Sequence, residues 1–276
     1  MPLVLITGAS TGIGRATTLR LAANGWTVLA GVRDPAAGQR LAADGGERVL
    51  PITLEVTDAA QIEQAAATVG ERGGRLDALV NNAGIGVGGP LELVSPDDLR
   101  RQFEVNVFAQ IAVTQALLPA LRAAKGRITF TSSIGGRVAM AFTAPYAASK
   151  HAIEAFADAL RVELHTSGVQ VALIEPGSVA TPIWGKGQEE ADKLTIPPEL
   201  QGAYGKVPAA MEKVLADTAS RGIPPEQVAK VIERALTSSR MRARYLVGRD
   251  AQVMLLLKRG LPDRVFDRVS RRLLGV

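Results

Sequence analysis

Short apolar runs recur along the chain, and the gap between neighbouring runs holds about one helix. The runs are Leu3–Ile6, 26–32, 49–53, 76–80, 127–131 and 169–175. Helical stretches rich in Ala and Leu fill 58–72, 96–124 and 144–167, and an earlier helical pattern ends at Asn24-Gly25. Strands that alternate with helices of this length pair in parallel through right-handed crossovers, so the expected fold is α/β, a doubly wound sheet. A further helix starts at Pro224-Pro225-Glu226 and runs to about Ser238, and Arg244–Val247 reads as a last strand. Residues 184–223 break the rhythm with Gly, Pro, Lys and Glu. They are expected to form a mobile excursion with some helix, placed as a lid over the strand ends. All 276 residues are expected in one domain, with a basic C-terminal extension from about 249 to 276.

Composition narrows the chemistry. With no cysteine, thiolate metal sites, disulfides and cysteine nucleophiles are excluded, and a reducing, cytoplasmic setting fits. Two histidines, His151 and His165, are too few for a multi-histidine metal site, so no metal is expected. No apolar run approaches the ~18 residues of a membrane span, and the first basic residue is Arg15, so neither a spanning helix nor a signal peptide is expected. The net charge of +5 is uneven: residues 239–276 hold ten Lys/Arg against three Asp/Glu, leaving 22 against 24 in the rest. A body without basic excess argues against a nucleic-acid partner.

Thr7-Gly8-Ala9-Ser10-Thr11-Gly12-Ile13-Gly14 follows the first strand and opens the first helix. A helix N-terminus offers unpaired N–H groups to a pyrophosphate, and glycines let the phosphate approach the backbone. Gly8, Ser10, Gly12, Ile13 and Gly14 are therefore candidate cofactor residues. At the end of the second strand an acid would hold the ribose hydroxyls of NAD. Here Val32 stands at that position with Arg33 next, which favours a 2′-phosphate. NADP(H) is thus expected over NAD(H), with Asp34 placed to temper the arginine.

Tyr146-Ala147-Ala148-Ser149-Lys150 sets a phenol and an ammonium on one helical face. A nearby cation favours an ionised phenol, which turns a poor base into a useful one. Around them stand Asn81-Asn82-Ala83-Gly84 after the fourth strand, Asn106 in the long helix, Ser133 after the fifth strand, and Pro176-Gly177-Ser178-Val179-Ala180-Thr181 after the sixth. With the glycine turn, this set resembles the short-chain dehydrogenase/reductase family, without a gap from residue 3 to about 182. The resemblance implies a Rossmann-type sheet and hydride transfer between NADP(H) and an alcohol or carbonyl group. It implies Tyr146 as general acid/base, Lys150 holding the nicotinamide ribose and lowering the phenol pKa, Ser133 on the carbonyl oxygen, and Asn106 fixing a water. Asn82, Ala83 and Gly84 would line the adenosine side, while Pro176, Gly177, Val179 and Thr181 would hold the carboxamide side. Glu55 and Val56 stand where the family usually brackets the adenine with an aspartate and an apolar residue.

The substrate side is expected to be apolar: Ile85, Val87, Ile134, Met140, Phe142 and Trp184, with Arg137 the chief charge. Such a lining suits a lipophilic ketone, aldehyde or alcohol. The runs 82–92 and 244–248 resemble the 17-beta-hydroxysteroid and retinol dehydrogenase branch, which implies a steroid- or retinoid-like substrate. Two alternatives stand beside this. One is a catalytically inactive cofactor-sensing protein, which would not need Asn106, Ser133, Tyr146 and Lys150 together. The other is a reductase of carrier-bound 3-oxoacyl chains, which needs a basic patch at the pocket mouth. A homo-oligomer, dimer or tetramer, is expected through the helices 96–124 and 144–167. In the tail, a helix beginning at Pro262-Asp263 places Val265, Phe266, Val269 and Leu273 opposite Arg264, Arg268, Arg271 and Arg272. That pattern suits peripheral membrane contact, or packing of the apolar side on the body.

Overall fold

The computed structural model describes residues 1–181 and 196–274. Trp184 and the first part of the expected lid lie outside the described residues, as does the side chain of Leu273.

Seven parallel strands form one sheet in the order β3-β2-β1-β4-β5-β6-β7. They are β1 (Leu3–Ile6), β2 (Thr27–Val32), β3 (Val49–Thr53), β4 (Ala78–Asn81), β5 (Arg127–Thr131), β6 (Gln170–Pro176) and β7 (Arg244–Val247). The expected strands are all present, shifted by two residues at most. Between them run α1 (Gly12–Ala23), α2 (Pro35–Gly45), α3 (Ala59–Glu71), α4 (Pro96–Phe103), α5 (Ala109–Ala124), α6 (Ala144–Glu163), α7 (Val207–Arg221) and α8 (Pro225–Thr237). Then α9 (Arg249–Gly260) and α10 (Asp263–Leu274) complete the described chain.

Strand side chains alternate between two cores, because helices cover both faces of a parallel sheet. On β1, Leu3 and Leu5 join Val113, Leu117, Leu121 and Ile153 of α5 and α6. Val4 and Ile6 join Leu21, Leu41, Val228 and Ile232 of α1, α2 and α8. The sheet reverses its winding between β1 and β4, which opens a crevice at the carboxyl ends of the strands.

Three features depart from the sequence reading. Helix α2 was not expected, although Asp34 caps it by accepting the Ala36 and Ala37 amides and Pro35 opens it. Its core-facing side is made by Gly38 and Leu41, too small a signal for periodicity. The stretch 96–124 is not one regular helix: a π-helical segment, Glu104–Phe108, separates α4 from α5. Nor does it lack the length and apolarity of a membrane span, since Pro96–Ala124 has both. Its Val107, Val113, Leu117 and Leu121 are instead buried against the sheet. On the C-terminal extension, Phe266 is 4% exposed and Lys258 stands 5.0 Å from its ring. The Ser270 hydroxyl donates to Met140 Sδ, so α10 leans on the segment after β5. The apolar side of this basic helix is therefore turned at least partly into the protein.

Candidate active site

The glycine turn is held from behind. Thr7 Oγ1 accepts the amides of Asn82 and Ala83 at 2.9 and 3.0 Å, and the Asn82 side chain donates to the Thr7 and Gly8 carbonyls. Gly8 adopts φ +63°, where a side chain is strained. A Cβ on Gly14 would stand 2.1 Å from the Gly8 oxygen, so the turn closes onto the helix only with glycine there. Thr11, at the start of α1, makes no side-chain cap, and the first turn holds no acid. The α1 N-terminus is thus open to an anion.

A cleft of about 830 Å³ runs along the strand ends. Its lining joins Gly8, Ser10, Gly12, Ile13, Val32, Arg33, Glu55, Val56, Asn82, Ala83 and Gly84 to Ser133, Tyr146, Lys150, Pro176, Gly177, Val179 and Thr181. Of the expected cofactor residues only Gly14 does not line it; Gly14 is buried beneath the turn. The donor set is that of a dinucleotide site: an open helix N-terminus at one end, a lysine and a phenol at the other, and an arginine beside the strand that sets ribose chemistry. The residues fit a nicotinamide dinucleotide. Arg33 is 3.6 Å from Glu55, whereas Asp34 is spent on capping α2. The charge that tempers the arginine therefore comes from Glu55, across the strand pair.

At the catalytic end, α6 carries Tyr146 and Lys150 one turn apart. The Lys150 ammonium donates to the Thr131 carbonyl at 2.8 Å and lies 5.7 Å from the Tyr146 ring centroid. Burial brings the Lys150 pKa down to about 8, while the charge on Glu154 pulls upward. Burial also pushes the Tyr146 phenol above its ordinary range, with a hydrogen bond to Ser133 acting the other way. The spacing predicts a lowered phenol pKa; here desolvation acts upward and the Ser133 hydrogen bond downward. A protonated phenol beside Ser133 is suited to giving a proton to a carbonyl oxygen.

Asn106 sits in the π segment. Its side chain accepts the Ile85 amide at 2.8 Å and donates to the Ile85 carbonyl at 2.9 Å and to Ser149 Oγ at 3.2 Å. Those bonds hold the chain after β4. Gln102 does the same one turn earlier, accepting the Val87 amide and donating to Ile85 and Ser149. Gln102 was marked by no sequence motif, and Ser149 stood inside the Tyr146–Lys150 segment without a role of its own.

Of the substrate-side residues, Ile85 lines the cleft. Val87 is 5% exposed and does not; Ile134, Met140 and Phe142 are half-buried and do not line it either. Phe142 adopts φ +65°, and its carbonyl accepts the Gly89 amide at 2.8 Å, joining the segments after β4 and β5. Beyond the expected residues, Asp250 of α9 accepts the Ser178 amide at 2.6 Å and packs on Gly177. It fixes the loop after β6 from 72 residues away, and an exposed aspartate in a basic tail gave no hint of it.

Comparison with known proteins agrees with this geometry. The model of the short chain dehydrogenase family matches residues 2–192. The NADPH-dependent 3-dehydrocapnine reductase of Ornithobacterium rhinotracheale is 34% identical, over 98% of this chain and 96% of its own. Retinol dehydrogenase 5 of Mus musculus is 36% identical, over 96% of this chain and 86% of its own. Among solved structures, a short chain dehydrogenase/reductase from Burkholderia phymatum in complex with NAD superposes with a TM-score of 0.81 at 25% identity, covering 94% of this chain and 92% of that one.

Proposed function

The chain belongs to the short-chain dehydrogenase/reductase family, oxidoreductases of alcohol and carbonyl groups that use a nicotinamide dinucleotide, and on that premise we propose that it reduces a hydrophobic ketone or aldehyde with NADPH. The single observation that carries the reading is the meeting of Ser133, Tyr146 and Lys150 with the glycine turn in one cleft. When bound, the cofactor supplies the hydride. Ser133 and Tyr146 hold the carbonyl oxygen, and the phenol delivers the proton to it as charge develops there. Lys150 holds the ribose and balances the charge left on the phenol oxygen. Reduction is the favoured reading because the Ornithobacterium relative is named a reductase.

NADP(H) rather than NAD(H) is supported by Arg33 at the end of β2 and by the cofactor in the name of the Ornithobacterium relative. The NAD-bound Burkholderia structure supplies the competing case. A steroid- or retinoid-like substrate is supported by the retinol dehydrogenase relative and by Ile85 in the cleft lining. The test is a panel of hydrophobic ketones, aldehydes and alcohols, followed by NADPH absorbance. Turnover of at least one such ketone or aldehyde supports the reading. Tight NADPH binding without any turnover would favour the cofactor sensor.

One observation favours a second reading, reduction of carrier-bound 3-oxoacyl chains. Helix α10, with Arg264, Arg268, Arg271 and Arg272, leans on Met140 of the substrate-side segment. Assaying a 3-oxoacyl thioester free and carrier-bound separates the two: a strong preference for the carrier-bound form supports this reading. A homo-oligomer through the stretches 96–124 and 144–167 is supported by the exposed Phe108 and Phe156 and is checked by light scattering.

A further inference from the structure

Behind the catalytic residues lies a buried ionic cluster that the proposed reaction does not use directly. Glu154, one turn after Lys150 on α6, accepts the Ser132 hydroxyl at 2.6 Å. Its other oxygen accepts Arg244 Nε of β7 at 2.9 Å. Arg244 also reaches Asp158 of α6 at 2.7 Å and Glu175 of β6 at 3.1 Å. Glu175 binds Arg137 at 3.1 Å, and Asp158 binds Arg161 at 2.6 Å. The side chains of Glu154 and Glu175 are 7% and 2% exposed.

Such a cluster is expensive to bury, and its charges need not lie behind the site for the fold to form. Its geometry ties it to the reacting groups. Ser132 lies between Thr131, whose carbonyl holds the Lys150 ammonium, and Ser133, which faces Tyr146. A Cβ on Gly136 would be 2.8 Å from Ser132 Oγ and 3.0 Å from Glu154 Cγ, so the turn after β5 is pressed onto the carboxylate.

We propose that Glu154 is a positioning residue for the reaction: it fixes the turn that presents Ser133, and it sets the field in which Lys150 carries its charge. Arg244 serves this role by holding Glu154 from the opposite side. The proposal rests on the reading of Ser133 and Lys150 given above. The charged groups facing Glu154 are Lys150 and Asp158 from its own helix, Glu175 from β6 and Arg244 from β7; Arg137 and Arg161 stand one contact further. Lys150 is the site cation on which Glu154 acts, its charge opposing the downward push of burial.

The test uses free protein with its lysines labelled at 13Cε, Lys150 being assigned from a Lys150→Arg variant. In Glu154→Gln the amide oxygen still accepts the Ser132 hydroxyl, but the charge is gone. The Lys150 titration is expected to move down by about one pH unit. The alkaline fall of kcat/KM for NADPH-driven reduction should move to lower pH with it, and Glu154→Asp should restore both. Ser132→Ala keeps the charge and removes the clamp; it is expected to leave the Lys150 titration in place and to lower kcat about tenfold at unchanged KM. An unmoved Lys150 titration in Glu154→Gln, or an unchanged kcat in Ser132→Ala, overturns the proposal. Because the lysine titration needs no substrate, a chain that reduces no ketone would overturn the proposed function and leave this measurement standing.

Discussion

The two ends of the cleft are built differently. The adenosine end is made of backbone: a positive-φ glycine, an uncapped helix N-terminus, and a threonine and an asparagine that bond only main-chain groups. The catalytic end is made of buried charge: a lysine brought down to about 8, a phenol pushed up, and carboxylates and guanidinium groups from α6, β6 and β7 behind them. A site of the first kind fails through sterics and at every pH. A site of the second kind fails through electrostatics, and its failures depend on pH.

The largest effect is expected from Lys150→Ala, which removes the charge and the ribose contact together. Turnover should fall about a thousandfold, and cofactor affinity should fall with it. Fluorescence titration of NADPH reads the second part. If affinity stayed at the wild-type value, the ribose contact would be wrong and the two ends would be independent.

Gly14→Ala probes the other end. The added methyl meets the Gly8 oxygen, and the turn must open to admit it. A loss of about 1–3 kcal/mol is expected in thermal unfolding without cofactor. NADPH binding should weaken at acid and alkaline pH alike, which is what distinguishes this end from the lysine.

Arg33→Ala sharpens the comparison, because Arg33 is the cation at the end of β2, where the ribose is read. kcat/KM with NADPH should fall about tenfold while that with NADH barely changes. Glu55→Gln, which frees the arginine, should move the ratio the opposite way. No change in either ratio would mean that the 2′-phosphate is not read here.

The smallest effect concerns Glu175. Desolvation, with Glu154 nearby, lifts its pKa from 4.5 to about 7, so the folded protein binds a proton that the unfolded chain has released. Its contribution to stability therefore falls as pH rises from about 4.5 to 7. In Glu175→Gln that slope disappears, and denaturant unfolding of both proteins across this window measures the difference.

The same contrast explains what was legible in the sequence. Thr7 to Gly14, Asn82 to Gly84 and Tyr146 with Lys150 are contiguous or one turn apart, so local physics marks them. The strands were legible because both faces of a parallel sheet are apolar. Helix α2 was missed because Gly38 and Leu41 are nearly all of its buried side. Gln102, Glu154, Arg244 and Asp250 were illegible for another reason: each works on a partner 15 to 90 residues away, and no spacing rule links them. The upward push of desolvation on the phenol was not legible either, because spacing reports the neighbouring cation and not the burial.

Tyr146→Phe, with NADPH binding and ketone reduction followed in the same preparation, tests the central claim most directly. The hydroxyl is the proton donor and the ring is packing. Turnover should therefore fall by about a thousandfold or more, while NADPH affinity stays within a few-fold of wild type. Substantial turnover in that variant, with the cofactor bound as before, would contradict the account.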